Sequence, residues 1–442
     1  MILTKEEAQA LLKKVLGYSK ADECEVSLNG RISGNIRTAL NAVSTAQESN
    51  TMGLFVNSVF GKKTGSASIN EFDDASLEKV VRRAEELAQL APSNPEHMPM
   101  MGPATFKDAI TYNADTAAIT PDTRAEFIAQ SMKATKEAGL IQAGYLENSS
   151  GFTAIMNSKG LFAYEKSSDL TFSVTTRNEA GTGSGYAAHG YTDVKKLDTY
   201  KATQFACKKA ISSVGAKAIE PGKYTVILEP TAGAYMLENM FRFDARGADE
   251  GRSFLSKRGG GTRLGEQMLD EKVTIYSDPF NPDLPGPTWD REGLPLEKTY
   301  WFEKGVLKNL SYNRYYAEKK GVKPLPGPSN IIFEGGNTSI EDMIKSTERG
   351  VLVSRLWYIR MVDPQSLLLT GLTRDGTFYI ENGQIKFPIK NFRFNESPVI
   401  MLNNVEALGK PERAISVESY RSYMIPPMKI RDFTFSSLSD AV

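Results

Sequence analysis

The stretch Tyr224-Thr225-Val226-Ile227-Leu228-Glu229-Pro230-Thr231-Ala232-Gly233-Ala234-Tyr235-Met236-Leu237 decides how this chain is read. Its first five residues are largely β-branched or aromatic and read as a strand. Beyond them Ala232, Tyr235, Met236 and Met240 recur at helical spacing, which predicts a helix from Thr231 to about Met240. Pro230 suits the first turn of that helix, where its missing N–H costs nothing. Short strands and turns follow. Glu303-Lys304-Gly305-Val306-Leu307-Lys308-Asn309 and Glu381-Asn382-Gly383-Gln384-Ile385-Lys386-Phe387 each place a turn dipeptide ending in Gly between alternating apolar runs, so both predict hairpins. Asp375-Gly376 reads as a further turn between strands, and the Pro-, Asp- and Gly-rich residues 280–300 as a long loop. Residues 219–442 are therefore expected to form one large β-rich domain, barrel- or sandwich-like.

Upstream, the pattern is different. Thr4-Lys5-Glu6-Glu7 has capping-box spacing, and Ala8, Leu11, Leu12, Val15 and Leu16 continue it as a helix over about 5–17. Cys24–Leu28 alternates, and Asn29-Gly30 is a hairpin-turn signal. Residues 53–60 and 64–69 read as strands around Gly61-Lys62-Lys63, and 74–91 as a helix. Four prolines and a glycine make 92–105 an extended linker, with His97 an exposed side chain in it. A helix from Thr120-Pro121-Asp122 to about 138, strands near 142–147, 151–157, 161–165 and 169–177, and a helix over 192–214 follow. The fold class is thus α+β: two small helix-plus-antiparallel-sheet units, 1–91 and 106–218, precede the β-rich domain.

Composition narrows the function. Acids and bases balance at 53 each, so a whole-chain basic footprint for nucleic acid is missing. The two cysteines, Cys24 and Cys207, cannot supply a disulfide framework, and the carboxylates beside Cys24 oppose a nucleophilic thiolate. No basic n-region opens the chain and no apolar run is long enough for a span, so a cytoplasmic protein without a membrane partner is expected. Histidine is the commonest metal ligand and the usual base near neutral pH. The chain has two, His97 and His189, and neither lies in a metal-binding spacing.

Few stretches suggest chemistry. Arg258-Gly259-Gly260-Gly261-Thr262-Arg263-Leu264-Gly265 is glycine-rich and basic but lacks the Gly-Lys-Ser/Thr ending of a phosphate loop, so it reads as a flexible loop near a cleft. Arg374 could bind a carboxylate or a carbonyl. Asp244, Asp249 and Glu250 cluster after the 231–240 helix.

The strand–helix step at 224–240, the Glu303-Lys304-Gly305 hairpin, and Thr370-Gly371-Leu372-Thr373-Arg374-Asp375-Gly376-Thr377-Phe378 followed by Glu381-Asn382-Gly383 together resemble the TldD/PmbA family, in its PmbA branch, also called TldE. The similarity runs from the Leu54-to-Ile69 strands to Asn404-Val405-Glu406-Ala407-Leu408-Gly409. It implies a cytoplasmic peptidase of TldD-like and TldE-like subunits that processes peptides and unfolded polypeptides, and an older family label, modulator of DNA gyrase. The TldD-type subunit carries His-Glu-x-x-x-His on the helix after the first strand of its β-rich domain, and a cysteine near its C-terminus. Here Pro230 and Thr231 stand at the His-Glu pair and Tyr235 at the second His, and no cysteine follows Cys207. Catalytic zinc needs about three N, S or O ligands and a base for its water. The resemblance therefore implies a non-catalytic subunit, with zinc only in a TldD-like partner and no cofactor of its own. Peptide or unfolded polypeptide is the expected substrate, with a homodimer when the chain is alone. Tyr235, Arg258, Arg263, Gly371, Thr373, Arg374 and Asp375 are the groove candidates, expected to converge on one cleft. Two alternatives stay open: a self-sufficient metallopeptidase using oxygen ligands such as Asp244 with Asp249, and a regulator that binds a protein such as gyrase without handling peptides.

Overall fold

Thr4 opens the first helix, α1 (Lys5–Gly17), with the expected capping box. Its hydroxyl accepts the Glu7 N–H, and the Glu7 carboxylate accepts the Thr4 N–H. The computed structural model describes residues 2–416, 418–419 and 421–439. A long hairpin comes next, β1 (Glu23–Ala39) and β2 (Ala42–Phe60), then β3 (Lys63–Ile69) and α2 (Asp74–Leu90). The turn expected at Asn29-Gly30 does not form. Both residues lie inside β1, opposite Gly53 and Met52, because β1 is paired on both sides there. The chain reverses instead at Leu40-Asn41, whose φ values of 50° and 59° meet the left-handed requirement of a tight hairpin.

The second unit comprises α3 (Ala114–Ala117), α4 (Pro121–Glu137), β4 (Ile141–Asn157), β5 (Phe162–Arg177), β6 (Ser184–Tyr191) and α5 (Thr199–Ser212). The four short strands expected over 142–177 are two long ones. The two units do not carry separate sheets either. β1 pairs with β4 from Glu25–Asn157 to Thr38–Gly144, which gives one sheet in the order β3-β2-β1-β4-β5-β6. Val26, Leu28 and Ile36 alternate to one face of β1. The first two pack under α1 and α2, and Ile36 packs under α4.

From Gly222 the chain builds the β-rich domain. β7 (Gly222–Leu228) leads to α6 (Pro230–Leu237) and α7 (Ala245–Asp249). Then come β8 (Ile275–Ser277), β9 (Thr299–Glu303), β10 (Val306–Leu307), α8 (Arg314–Lys320), β11 (Ile332–Phe333), α9 (Ile340–Lys345), β12 (Arg349–Asp363), β13 (Leu368–Glu381) and β14 (Gln384–Pro388). The chain ends through β15 (Phe392–Glu396), α10 (Pro398–Asn403), β16 (Val405–Leu408), β17 (Glu412–Ile415), β18 (Ser422–Ile425) and β19 (Met428–Leu438). β12, β7, β19, β15 and β13 pair in that order, and β13 pairs back to β12, closing a five-stranded barrel. Val226, Leu228, Val353, Phe394 and Phe433 fill a continuous core with Tyr235 and Trp301. A second sheet, β10-β9-β8-β11-β18-β17, flanks the barrel. Lys304-Gly305 and Asn382-Gly383 form the two expected hairpin turns, all four residues at positive φ.

Asp375-Gly376 is not a turn. Both residues face the single residue Ser354 across β12, so they form a bulge within a continuous strand. Asp375 has φ 52° and Gly376 φ 127°. The bulge turns the Asp375 carboxylate inward, where Arg355 donates to it at 2.5 Å. The Arg355 guanidinium lies 3.8 Å from the ring centre of Tyr186 on β6, so this pair also ties the barrel to the N-terminal sheet.

The proline-rich segment packs against the sheet. His97 is 15% exposed and lies 3.4 Å from Glu23, not out in solvent as expected. Met101, Ala104 and Phe106 cover Ile155 and Leu161 together with Trp289. Burial beside this segment pushes the Glu25 carboxyl up to about 7, with the charge of Glu292 adding to the effect. Among the described residues no helix is long and apolar enough to cross a membrane.

Asp375→Asn keeps the side-chain shape and the left-handed backbone but leaves Arg355 buried without its counter-charge. Urea unfolding is expected to show a loss of about 3 kcal/mol. Adding Arg355→Gln should recover part of it, and an Asp375→Asn variant as stable as the parent would refute a structural role for the pair. Glu25 holds a proton in the folded chain that the unfolded chain releases above its ordinary range near 4.5. Its contribution therefore falls as pH rises from about 4.5 through about 7. Glu25→Gln is expected to melt higher than the parent at about pH 8, with the difference closing towards pH 5.

Candidate functional site

The start of α6 faces a cavity of about 390 Å³ between the central unit and the β-rich domain. Tyr186 and His189 of β6, Phe205 of α5, Glu229 and Thr231 at the head of α6, and Glu412 and Arg413 of β17 line it, with Pro230, Ser354 and their neighbours between. Pro230 takes the first helical position as expected, and Glu229 is the N-cap residue. The Glu229 side chain does not cap the helix. It accepts from Lys209 of α5 across the domain junction, both side chains about nine-tenths buried. Lys209 also sits 5.2 Å over Phe205 and 5.4 Å over Phe378. Burial, with the charge of Glu229 adding, pushes the Glu412 carboxyl up. Burial lowers the proton affinity of His189, whose Nδ1 lies 3.3 Å from the Tyr191 hydroxyl.

Two sheet edges border this cavity. β6 ends the N-terminal sheet and β17 ends the second sheet of the β-rich domain. They meet where Gly190 approaches Ile415 so closely that an added Cβ would lie 2.7 Å from its Cδ1. The site therefore offers main-chain edges, aromatic surface and charges of both signs.

The residues singled out by sequence divide between different places. Pro230 and Thr231 line the junction cavity. Tyr235, on the same helix, is 2% exposed and its hydroxyl accepts the Ile359 N–H at 3.1 Å, which binds α6 to β12. Arg258 and Arg263 line a separate cavity of about 930 Å³ with Asp363 and Gln365, and Arg263 pairs with Glu266 at 3.0 Å. Gly371 packs so tightly that a Cβ would lie 2.6 Å from Phe394 Cζ. The Thr373 hydroxyl accepts the Phe392 N–H at 2.9 Å. Arg374 lies 4.9 Å over the Trp357 ring and 3.8 Å from Asp375. The expected single cleft is thus split. Asp375 does not line the junction cavity, although its bulge faces Ser354 of the cavity wall and its partner Arg355 stacks on Tyr186, while Arg258 and Arg263 serve another surface. Lys209, Glu229, Glu412 and Tyr186 were not marked by any motif. An acid directly before a helix-opening proline was the one local sign of Glu229.

The candidate oxygen ligands are occupied. Asp244 caps α7, accepting the Arg246 and Gly247 N–H groups at 3.2 and 2.9 Å. Asp249 accepts from Tyr316 at 2.6 Å and pairs with Lys320 at 2.8 Å. Among the described residues no group of three His, Cys, Asp or Glu side chains is placed to share an ion. Both thiols are buried, and burial raises both; at Cys24 the charges of Glu85 and Glu25 add a smaller effect.

Three family models cover most of the chain: PmbA/TldA metallopeptidase domain 1 over residues 24–88, the central domain over 113–218 and the C-terminal domain over 221–437. The chain is 22% identical to metalloprotease PmbA of Escherichia coli O157:H7, over 94% of its own length and 93% of that protein's. Two solved structures share the fold. TldE from Thermococcus kodakarensis superposes with a TM-score of 0.85 at 18% identity, covering 97% of this chain and 99% of that one. A candidate modulator of a DNA gyrase from Thermotoga maritima gives 0.86 at 19% identity, covering 97% and 100%. With its three-part order and closed barrel matched from end to end, the chain belongs to the PmbA/TldD family of metallopeptidase-like proteins.

Proposed function

We propose that this chain is the non-catalytic, TldE/PmbA-like subunit of a TldD/TldE-type zinc metallopeptidase. In this reading it shapes the groove in which peptides and unfolded polypeptides are handled. The observation that carries the proposal is the first turn and a half of α6. A His-Glu-x-x-x-His helix would present two ligands and a base there. This helix presents a proline ring, a threonine hydroxyl, and a phenol already hydrogen-bonded to the backbone of β12. None of the three is a base near neutral pH, and Tyr235 is held further from ionisation by its burial. The two terminal strands beside the cavity, β6 and β17, support backbone pairing to an extended chain, a mode with weak sequence preference.

Elemental analysis of the dialysed protein is expected to find far less than one zinc per chain; a stoichiometric metal would defeat the reading. The chain alone is expected to leave an unfolded polypeptide intact, and a TldD-like subunit is expected to add chelator-sensitive cleavage. Pro230→His, Thr231→Glu and Tyr235→His together should not rescue the single chain. A third ligand would still be missing, and Tyr235→His removes the acceptor for Ile359. Cleavage by the metal-stripped single chain would refute the proposal. A pulldown that recovers a topoisomerase and no TldD-like protein would favour the regulator reading.

A further inference from the structure

A histidine and three methionines fall within five residues of the proline-rich segment, in His97-Met98-Pro99-Met100-Met101. All four line one cavity of about 360 Å³, apart from the junction cavity, whose other walls include Glu25, Glu292 and Arg314. Methionine ordinarily fills gaps in an apolar core. Met101 does so, packing with Phe106 on Ile155 and Leu161. Among the described residues Met98 and Met100 join no apolar cluster, and both stay half-buried on the cavity wall. The segment is pinned from several sides. The Asn94 N–H donates to the Lys62 carbonyl at 2.8 Å and the His97 N–H to the Asn94 carbonyl at 3.1 Å. The Met100 N–H donates to the Glu23 carboxylate at 3.2 Å, and the Asn157 side chain donates to the Met101 carbonyl at 2.9 Å. The Glu23 oxygen that accepts from Met100 also faces His97 Nε2 at 3.4 Å. A neutral ring that turns its Nε2–H towards a carboxylate keeps its lone pair on Nδ1, which is how metal-bound histidines are commonly oriented.

We infer that this cavity binds a soft monovalent cation, Cu(I), through the Met98 and Met100 thioethers and His97 Nδ1. Thioether sulfur is a soft donor and selects Cu(I). Zinc takes thiolate, imidazole or carboxylate, and calcium and magnesium take oxygen. Among the described residues no three His, Cys, Asp or Glu side chains are placed to share an ion, so the segment offers a harder divalent ion no ligand set. The backbone hydrogen bonds hold the donors before an ion arrives, which lowers the ordering cost of binding. Leucine would fill the same space, so what methionine adds at positions 98 and 100 is the sulfur lone pair.

An anaerobic Cu(I) titration of the full chain, read by competition with a chromophoric Cu(I) chelator, tests this. The parent is expected to hold a single Cu(I) per chain. Met98→Leu with Met100→Leu conserves side-chain volume and should weaken binding by about tenfold or more, as should His97→Asn. Cys24→Ala with Cys207→Ala should bind as the parent does, since both thiols are buried. X-ray absorption of the copper-loaded chain is expected to show sulfur as well as nitrogen neighbours. A parent that retains no Cu(I) overturns the inference. So does binding untouched by the methionine pair, binding lost with the cysteines in a chain whose melting is unchanged, or a copper site with nitrogen and oxygen neighbours alone. The readout needs no TldD-like subunit, no zinc and no cleavage, so its failure is separate from failure of the proposed function.

Discussion

β12 is the strand on which the β-rich half depends. It pairs parallel with β7 and antiparallel with β13, and those two contacts close the barrel. A five-stranded ring has no free edge at the strand that completes it, so β12 must keep register on both sides at once. The bulge at Asp375-Gly376 absorbs the mismatch. It also turns a carboxylate into the interior, where Arg355 of β12 neutralises it. The same guanidinium stacks on Tyr186, so one buried pair serves barrel closure and domain contact together.

α6 takes its place from that barrel. It leaves the end of β7, and Tyr235 anchors it to Ile359 of β12. Its head faces α5, where Glu229 meets Lys209 across the junction. A helix start in such a setting can carry a metal only if its side chains are ligands. Here they are apolar or hydroxylic, and the acid before them, Glu229, is paired with Lys209. What the junction keeps is shape, two sheet-terminal strands and aromatic surface. Those properties are the ones on which the proposed role of holding an extended chain rests.

The single N-terminal sheet has a different consequence. Joining two helix-plus-sheet units through β1 and β4 buries one edge of each and leaves β2 and β6 outermost over much of their length. β6 borders the junction cavity. β2 stands clear on the opposite side of the sheet order, far in sequence from any residue of the cavity.

Local chemistry was sufficient for much of the fold. The Thr4 and Pro121 helix starts, the α6 start at Pro230 and the Lys304-Gly305 and Asn382-Gly383 turns all depend on a few adjacent residues, and they stand where the sequence places them. The identities of Pro230, Thr231 and Tyr235 at the start of that helix are likewise written in single side chains. Asn29-Gly30 and Asp375-Gly376 show the limit. Each is a good turn dipeptide, yet long-range pairing keeps the first straight and makes a bulge of the second. The separation of Arg258 and Arg263 from the junction cavity, and the meeting of Glu229 with Lys209 behind it and with Glu412 on its wall, belong to the tertiary structure alone. These residues come from α5, the head of α6 and β17, and only the packing of the β-rich domain against the N-terminal sheet brings them near one another.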